Sequence, residues 1–377
     1  MNNLIKKLTT FSFLLNLIVV AGGNLVPYDE EQDLNYKFYN LVTQSVSIRN
    51  TSLLMEPGND FFEQYFNLLE ELIDAGANVN FAPRAKFKHI WINRALLHYD
   101  LDTEVTQLLI DSGADVNLPL KLGQERESVK PLFFASTIEE FTMIIAAGGD
   151  ITDLDYNGNN VMVNFFDNEA ILQLGLNAGL EINSKFVLSK HWFGGVRDQT
   201  PLHLAVYSSA NTVQFLINNG ADVNAVDYRG ETPISLVSEV DVLNILLNAG
   251  ADINAPDRDG KTLLHDTSIE LATRLIEAGA QVNVFDLEKK TPLVYWSLKS
   301  AIVTELLISA GANLNWKNKY SKNLLFFVQS PEICQLLIDS GININEPDFR
   351  GVTPLENAIA NHRHEIAAVL IAAGALQ

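Results

Sequence analysis

Few residues of this chain have the type and spacing to carry out a reaction. Gly260-Lys261-Thr262 has the ending of a phosphate-binding loop, in which backbone N–H groups and a lysine cradle phosphates. That loop needs a glycine five residues before its second one, and Ala255 stands there. His364-Glu365 opens a zinc-protease string, but Ala368 takes the place of the second histidine. His362 and His364 start a helix and read as solvated surface rather than as a metal pair. His98, His203 and His265 recur at one place in three similar segments, with no Ser or Cys in a nucleophile-like setting. Cys334 lies in the apolar stretch Ile333 to Ile338, a core position rather than that of a nucleophile. As the single cysteine it excludes an intramolecular disulfide and a zinc site built on several thiolates. Asn50-Thr51-Ser52 is a glycosylation sequon that matters only on an export route through an endoplasmic reticulum. No catalytic residue, metal ligand or cofactor site is assigned, and the expectation is a protein that is not an enzyme. An enzyme with a site in the longest loops is the alternative.

The elements that would position these residues are repeats. A phrase of aliphatics, two residues, Gly, a small residue, a polar residue, Val or Ile, and Asn recurs along the chain. It reads L-I-D-A-G-A-N-V-N at Leu72–Asn80, L-I-N-N-G-A-D-V-N at Leu216–Asn224 and L-L-N-A-G-A-D-I-N at Leu246–Asn254. Marker glycines stand at 76, 113, 148, 179, 220, 250, 279, 311, 341 and 374. Aliphatics with helical spacing precede each Gly, which ends the helix in the left-handed cap position. A turn follows, as in Asp227-Tyr228-Arg229-Gly230 or Asp257-Arg258-Asp259-Gly260, where Asp bonds the backbone and Gly takes positive φ. Thr-Pro-Leu then starts the next helix at Thr200, Thr291 and Thr353, with Thr as cap and Pro in the first turn.

These segments resemble the ankyrin repeat, most closely over Gly195–Asn224, which holds T-P-L-H-L-A at Thr200–Ala205. The resemblance covers about residues 59 to 377 and implies an all-α solenoid of about ten helix-loop-helix units with hairpin-like fingers. It also implies a binding face made by the fingers and the inner helices, and a structural role for the box histidines, bridging backbone groups of neighbouring turns. Several units are short between their two helices, as at Ser235–Asp241 and His265–Ile269. The box decays to Thr262-Leu263-Leu264-His265 and to Asn323-Leu324-Leu325-Phe326, and the turn Gly becomes Lys289 and Ser321, which strains a turn that prefers positive φ. Short, divergent units of this kind resemble those of intracellular bacteria and large DNA viruses.

Charge separates the fingers from the rest. The 377 residues hold 26 Lys and Arg against 46 Asp and Glu, a net charge of −20. That excess of acid disfavours nucleic acid as the partner. The finger segments are three enlarged ones, Phe81–Arg94, Leu118–Lys130 and Ser184–Gln199, with Thr152–Asn160, Asp227–Thr232, Asp257–Thr262, Asp286–Thr291, Trp316–Asn323 and Glu346–Thr353. They contain 19 of the 26 basic residues and sum to +6, whereas everything else sums to −26. Tyr, Trp and Arg dominate interface energetics. The candidate protein-binding residues are therefore Trp91, Trp192, Tyr228, Arg229, Arg258, Lys289, Trp316, Tyr320, Phe349 and Arg350. The expected partner is a protein with an acidic or mixed polar face, bound by a monomer. Simple solvation of long basic side chains, with aromatics packed between fingers, is the rival explanation. Fingers 81–94 and 184–199 are the expected specificity elements, because long loops in compact arrays are functional or disordered.

At the N-terminus Lys6 and Lys7 precede an apolar run, Phe11 to Ala21, followed by Gly22 and Gly23 and then acidic residues 29 to 33. This order reads as a signal peptide over 1–23, too short for stable membrane insertion. The protein would then be exported, secreted or periplasmic, and host-directed if the source is a host-associated microbe. An N-terminal helix packed on the first repeat, in a cytoplasmic protein, is the other reading. Residues 24–58 form an expected N-terminal cap, with Leu34, Phe38, Leu41 and Val42 at helical spacing. Residues 59–377 form the repeat domain. A divergent paralogue that folds weakly and binds nothing is the remaining alternative.

Overall fold

A computed structural model describes residues 35, 38–39, 41–42, 60–81, 84–87, 90–93, 97, 103–122, 127–135, 137–155, 158–187 and 198–376. The signal-peptide segment 1–23 and the sequon lie outside the described residues. The contacts divide the chain into two compact units, 1–181 and 182–377.

The N-terminal unit holds α1 (Asp60–Asp74), α2 (Thr103–Asp111), α3 (Ile138–Ala146) and α4 (Glu169–Asn177). Single 3-10 turns at Pro131–Phe134 and Val161–Val163 precede α3 and α4. Near its start Phe38, Leu41 and Val42 are buried, and the Asn78 N–H donates to Asn35 Oδ1 at 2.7 Å. The two long fingers of this unit form strands: β1 (Arg84–Phe87), β2 (Ile90–Asn93), β3 (Leu120–Leu122) and β4 (Glu127–Val129). They make one antiparallel sheet in the order β1-β2-β3-β4. Neighbouring fingers are thus zipped together, with Ile92 opposite Leu122 and Asn93 opposite Lys121.

The C-terminal unit opens with β5 (Phe186–Val187) and β6 (Asp198–Gln199), which close the third long finger as an antiparallel pair. It continues through α5 (Pro201–Ala205), α6 (Ala210–Asn218), α7 (Val240–Asn248), α8 (Ile269–Glu277), α9 (Pro292–Trp296), α10 (Ala301–Ser309), α11 (Pro331–Asp339), α12 (Pro354–Ala360) and α13 (His364–Ala372). Successive second helices of the repeats, α6, α7, α8, α10, α11 and α13, pack each on its predecessor. The first helix of a repeat is regular only in α5, α9 and α12. In the short repeats it shrinks to one 3-10 turn, at Pro233–Leu236, Leu263–His265 and Leu324–Phe326. Those repeats lack the three or four residues that a further turn needs, and 3-10 geometry spans more length per residue.

The repeated helix ends as its sequence dictates. All ten marker glycines adopt φ between 84 and 93°. At Gly220 an added Cβ would meet nothing within 4 Å, so the requirement is the dihedral angle, not space. The Ala221 N–H then reaches back to Leu216 O at 3.0 Å and satisfies an end carbonyl. Four residues before the marker stands the core residue of each repeat. Leu72, Leu109, Leu216, Leu246, Leu275, Leu307, Leu337 and Leu370 are all 0–1% exposed. Burying each stabilises the fold by about 1.5–3 kcal/mol. At Gly175 the leucine is missing, and Leu180 Cδ1 comes to 3.0 Å of where a Cβ would stand. Among the described residues no helix is long and apolar enough to cross a membrane.

Candidate functional site

The last five fingers of the C-terminal unit are each built around an Asp or Asn. Asp227 Oδ1 accepts from the N–H groups of Arg229 at 2.7 Å and Glu231 at 3.0 Å. Asp257 does the same for Asp259 and Lys261, Asn318 for Tyr320 and Lys322, and Asp348 for Arg350 and Val352. Asp286 accepts from the Lys290 N–H and from the Tyr295 hydroxyl at 2.6 Å. Burial opposes ionisation of Asp286, but these donors hold its carboxyl below the usual range. The Tyr295 hydroxyl is pushed up by burial and by the same carboxylate.

The fingers are also tied to one another. Arg258 N–H donates to Arg229 O at 2.8 Å, Leu287 N–H to Asp259 O at 2.8 Å and Phe349 N–H to Tyr320 O at 3.1 Å. Trp316 Nε1 donates to Lys289 O at 2.6 Å. Along this edge Arg229 and Arg258 sit over the Tyr228 ring, their guanidinium carbons 5.5 and 5.2 Å from its centre. Tyr320 and Phe349 stack at 5.6 Å between ring centres, with Lys319 over Tyr320 and Arg350 over Phe349. Eight of the ten residues singled out in the sequence therefore line consecutive fingers: Tyr228, Arg229, Arg258, Lys289, Trp316, Tyr320, Phe349 and Arg350. Trp91 lies on the hairpin of the N-terminal unit, opposite Lys86 in register. Trp192 lies outside the described residues.

Some finger cations are spent within the fold. Lys290 pairs with Glu288 at 2.5 Å, Lys322 with Asp348 at 3.8 Å, and Lys317 with Glu346. In contrast, Arg229, Arg258, Lys289, Lys319 and Arg350 form no ion pair with a described carboxylate, and one stands on each of five consecutive fingers. Sequence reasoning confined to the fingers missed Tyr295 and Leu298, which join them from α9 and the residues just after it. The signal was present in the run Val294-Tyr295-Trp296, where the half-buried Tyr follows a buried Val.

A second missed feature is the asparagine that closes each repeat phrase. Asn224 Nδ2 donates to Gly250 O at 3.2 Å and its Oδ1 accepts from the Asp252 N–H at 2.8 Å. Asn80, Asn117, Asn183 and Asn283 bridge to the next repeat in the same way. Thr152 replaces the asparagine in one repeat, and its hydroxyl turns back to Asp150 Oδ1 at 2.6 Å.

The other chemistry-bearing residues are held structurally. Thr200 N–H donates to His203 Nδ1 at 3.2 Å, while Nε2 lies 3.0 Å from Glu231 O. A carbonyl only accepts, so Nε2 carries the proton and the ring is neutral. Burial lowers its pKa, against the pull of that carbonyl. His265 meets Thr262 in the same way at 3.0 Å. His98 lies outside the described residues. The Cys334 thiol is fully buried, and burial pushes its pKa up to about 11. The rings of His362 and His364 lie 6.0 Å apart. Among the described residues no three His, Cys, Asp or Glu side chains gather to hold a metal ion.

A family model described as ankyrin repeats (3 copies) matches residues 157–257 and 297–376. Among solved structures the chain is similar to the ankyrin repeat domain of Bcl-3, a member of the IkappaB protein family. The identity is 25%, covering 54% of this chain and 91% of that one, with a TM-score of 0.43. It is also similar to an ankyrin repeat domain from Acinetobacter baumannii AYE, at 24% identity over 47% of this chain and 98% of that one, with a TM-score of 0.42. Comparison with curated proteins gives no match. Ten glycine-ended helices at a period of about 33 residues, Thr-Pro-Leu starts and the family match over both segments lead to one identification: this chain is an ankyrin-repeat protein.

Proposed function

We propose that the chain is a non-catalytic scaffold that docks a protein partner along the finger edge of its C-terminal unit. Ankyrin repeats are in general protein–protein interaction modules. The observation that carries the reading is the row Arg229, Arg258, Lys289, Lys319 and Arg350, one cation on each of five consecutive fingers with no ion pair to a described carboxylate. Hydrogen bonds between fingers hold the row in place, so little ordering entropy is lost on binding. Exposed aromatics stand in the same row, with Tyr320 45% and Phe349 58% exposed. A partner with an acidic or mixed polar face fits this edge. Asp259, Glu288 and Glu346 are interspersed there and the whole chain carries −20, which works against a continuous phosphate backbone.

Affinity capture with three forms of the full chain tests the reading. One form is native. The second carries Arg229→Glu, Arg258→Glu, Lys289→Glu and Arg350→Glu. The third reverses four exposed acids of the second helices, Glu270→Lys, Glu305→Lys, Glu332→Lys and Glu365→Lys. The expected result is a protein retained by the native and third forms and lost by the second. Retention by the second form with loss by the third would place the interface on the helices instead.

A further inference from the structure

The finger row is interrupted at one junction. Three junctions are joined backbone to backbone, at 2.8, 2.8 and 3.1 Å. Between fingers Asp286–Thr291 and Trp316–Asn323 the equivalent groups, Lys319 N–H and Glu288 O, are not joined. The cause is visible at the tip. Lys289 stands where three of the other four fingers have Gly230, Gly260 and Gly351, and its backbone is held at φ 61°. A Cβ added at Gly260 would meet the Asp286 Cα and the Leu287 N of the next finger at 3.2 Å. Ser321 carries a Cβ and keeps its junction, at the longest of the three distances. The longer Lys289 does not, and the Trp316 indole spans the gap to the Lys289 carbonyl instead.

What opens there is a groove of about 820 Å³. Lys289, Lys319, Trp316 and Tyr320 line it from the fingers, and Tyr295 and Leu298 from the inner side of the repeat. Leu298 is 53% exposed, an apolar side chain with unburied surface beside the groove. Lys290 and Lys317 also border the groove, but Glu288 and Glu346 neutralise them. Lys289 and Lys319 are therefore the two cations left without a carboxylate, one on each bordering finger. A strained backbone kept at a surface residue is a pointer to function when surrounding structure holds it.

We propose that this groove takes an extended acidic segment of a partner protein, with an apolar side chain against Leu298 and Tyr295 and carboxylates at Lys289 and Lys319. The proposal rests on the finger edge being a protein-binding surface and narrows it to one opening and one chemistry. The charge pattern selects the occupant: two unpaired cations flank an apolar and aromatic lining, within a chain whose remaining surface is acidic.

The test uses the full chain and arrays of twelve-residue peptides. In one array a central Leu, Ile, Val or Phe is flanked by Asp or Glu. In the others those acids become Asn and Gln, or Lys. Affinities of retained peptides are measured by fluorescence anisotropy. The expected result is selective retention of the acidic array and loss of about tenfold in affinity with Lys289→Glu plus Lys319→Glu. Lys289→Gly is expected to raise the melting temperature, by relieving the strained φ, while weakening the peptide. A purely structural lysine would not separate the two. Glu332→Gln plus Glu365→Gln, on exposed positions of the second helices, is expected to leave peptide affinity unchanged. Equal retention of the neutral array, preference for the Lys array, or insensitivity to the Lys289 and Lys319 changes would overturn the proposal. Retention of no array would also overturn it, and the capture experiment on the whole edge would still stand or fall by its own result.

Discussion

His203 is used as a neutral ring from both sides, and this makes the fold sensitive to mild acid. A folded-state pKa below the usual 6.5 means that the unfolded chain binds the proton more readily. Stability from this residue is complete above about 6.5, falls as pH drops below that value, and levels off below the lowered folded pKa. The melting temperature is expected to decrease between pH 7.5 and 5.5, and His203→Gln to reduce that slope while lowering stability at neutral pH. A slope unchanged by the substitution would assign the acid sensitivity elsewhere. Cys334 gives a second residue-scale expectation. Its buried thiol, raised to about 11, should resist iodoacetamide in the native chain and react only on unfolding. Labelling within minutes under native conditions would contradict its burial. Ser321, at φ 59°, isolates the strain argument from the binding argument. Ser321→Gly is expected to stabilise the chain by about 0.5–1 kcal/mol in thermal or denaturant unfolding, the relief of a left-handed Cβ less the added freedom of the unfolded glycine.

At the scale of the element, the repeats are joined by the asparagine ladder as well as by their leucines. Asn224→Ala removes one donor and one acceptor bond between adjacent repeats and is expected to cost about 1–2 kcal/mol, with faster hydrogen exchange at the Asp252 amide. Slower or unchanged exchange would show that the bridge contributes nothing. The ladder explains what the recurrence of Asn meant, and why sequence alone did not reveal it. Its partners lie 26 to 39 residues away, and only stacking brings them together. The helix ends were fully legible, because Gly after an aliphatic run has one physical use there. Short repeats were visible as deletions, but their replacement of a first helix by a 3-10 turn at Leu263–His265 depended on how far the shortened chain had to reach. The length of fingers 81–94 and 118–130 could be read directly. Their pairing through β2 and β3 could not, since neither finger shows the clean alternation that marks a half-buried strand.

For the molecule as a whole, charge separates the fingers from the rest of the chain. Fingers sum to +6 and the remainder to −26, so an acidic partner is repelled from the rest of the chain and steered to the finger edge by local attraction. Raising the salt from about 50 to 500 mM is expected to slow association with a captured acidic partner severalfold, with little change in dissociation. An unchanged association rate would remove charge from the explanation. The finger residues were legible as types in the sequence, since Tyr228, Arg229, Phe349 and Arg350 fall in short turns between strong helix signals. What pairs them, what leaves Lys289 and Lys319 unpaired, and where the row opens depend on distances between repeats that no single repeat encodes. The most direct test of the central claim is hydrogen exchange of the full chain with and without its captured partner. The expected result is protection concentrated in 227–232, 257–262, 286–291, 316–323 and 346–353. Protection confined to the second helices α6, α7, α8, α10, α11 and α13, with the fingers unchanged, would contradict it.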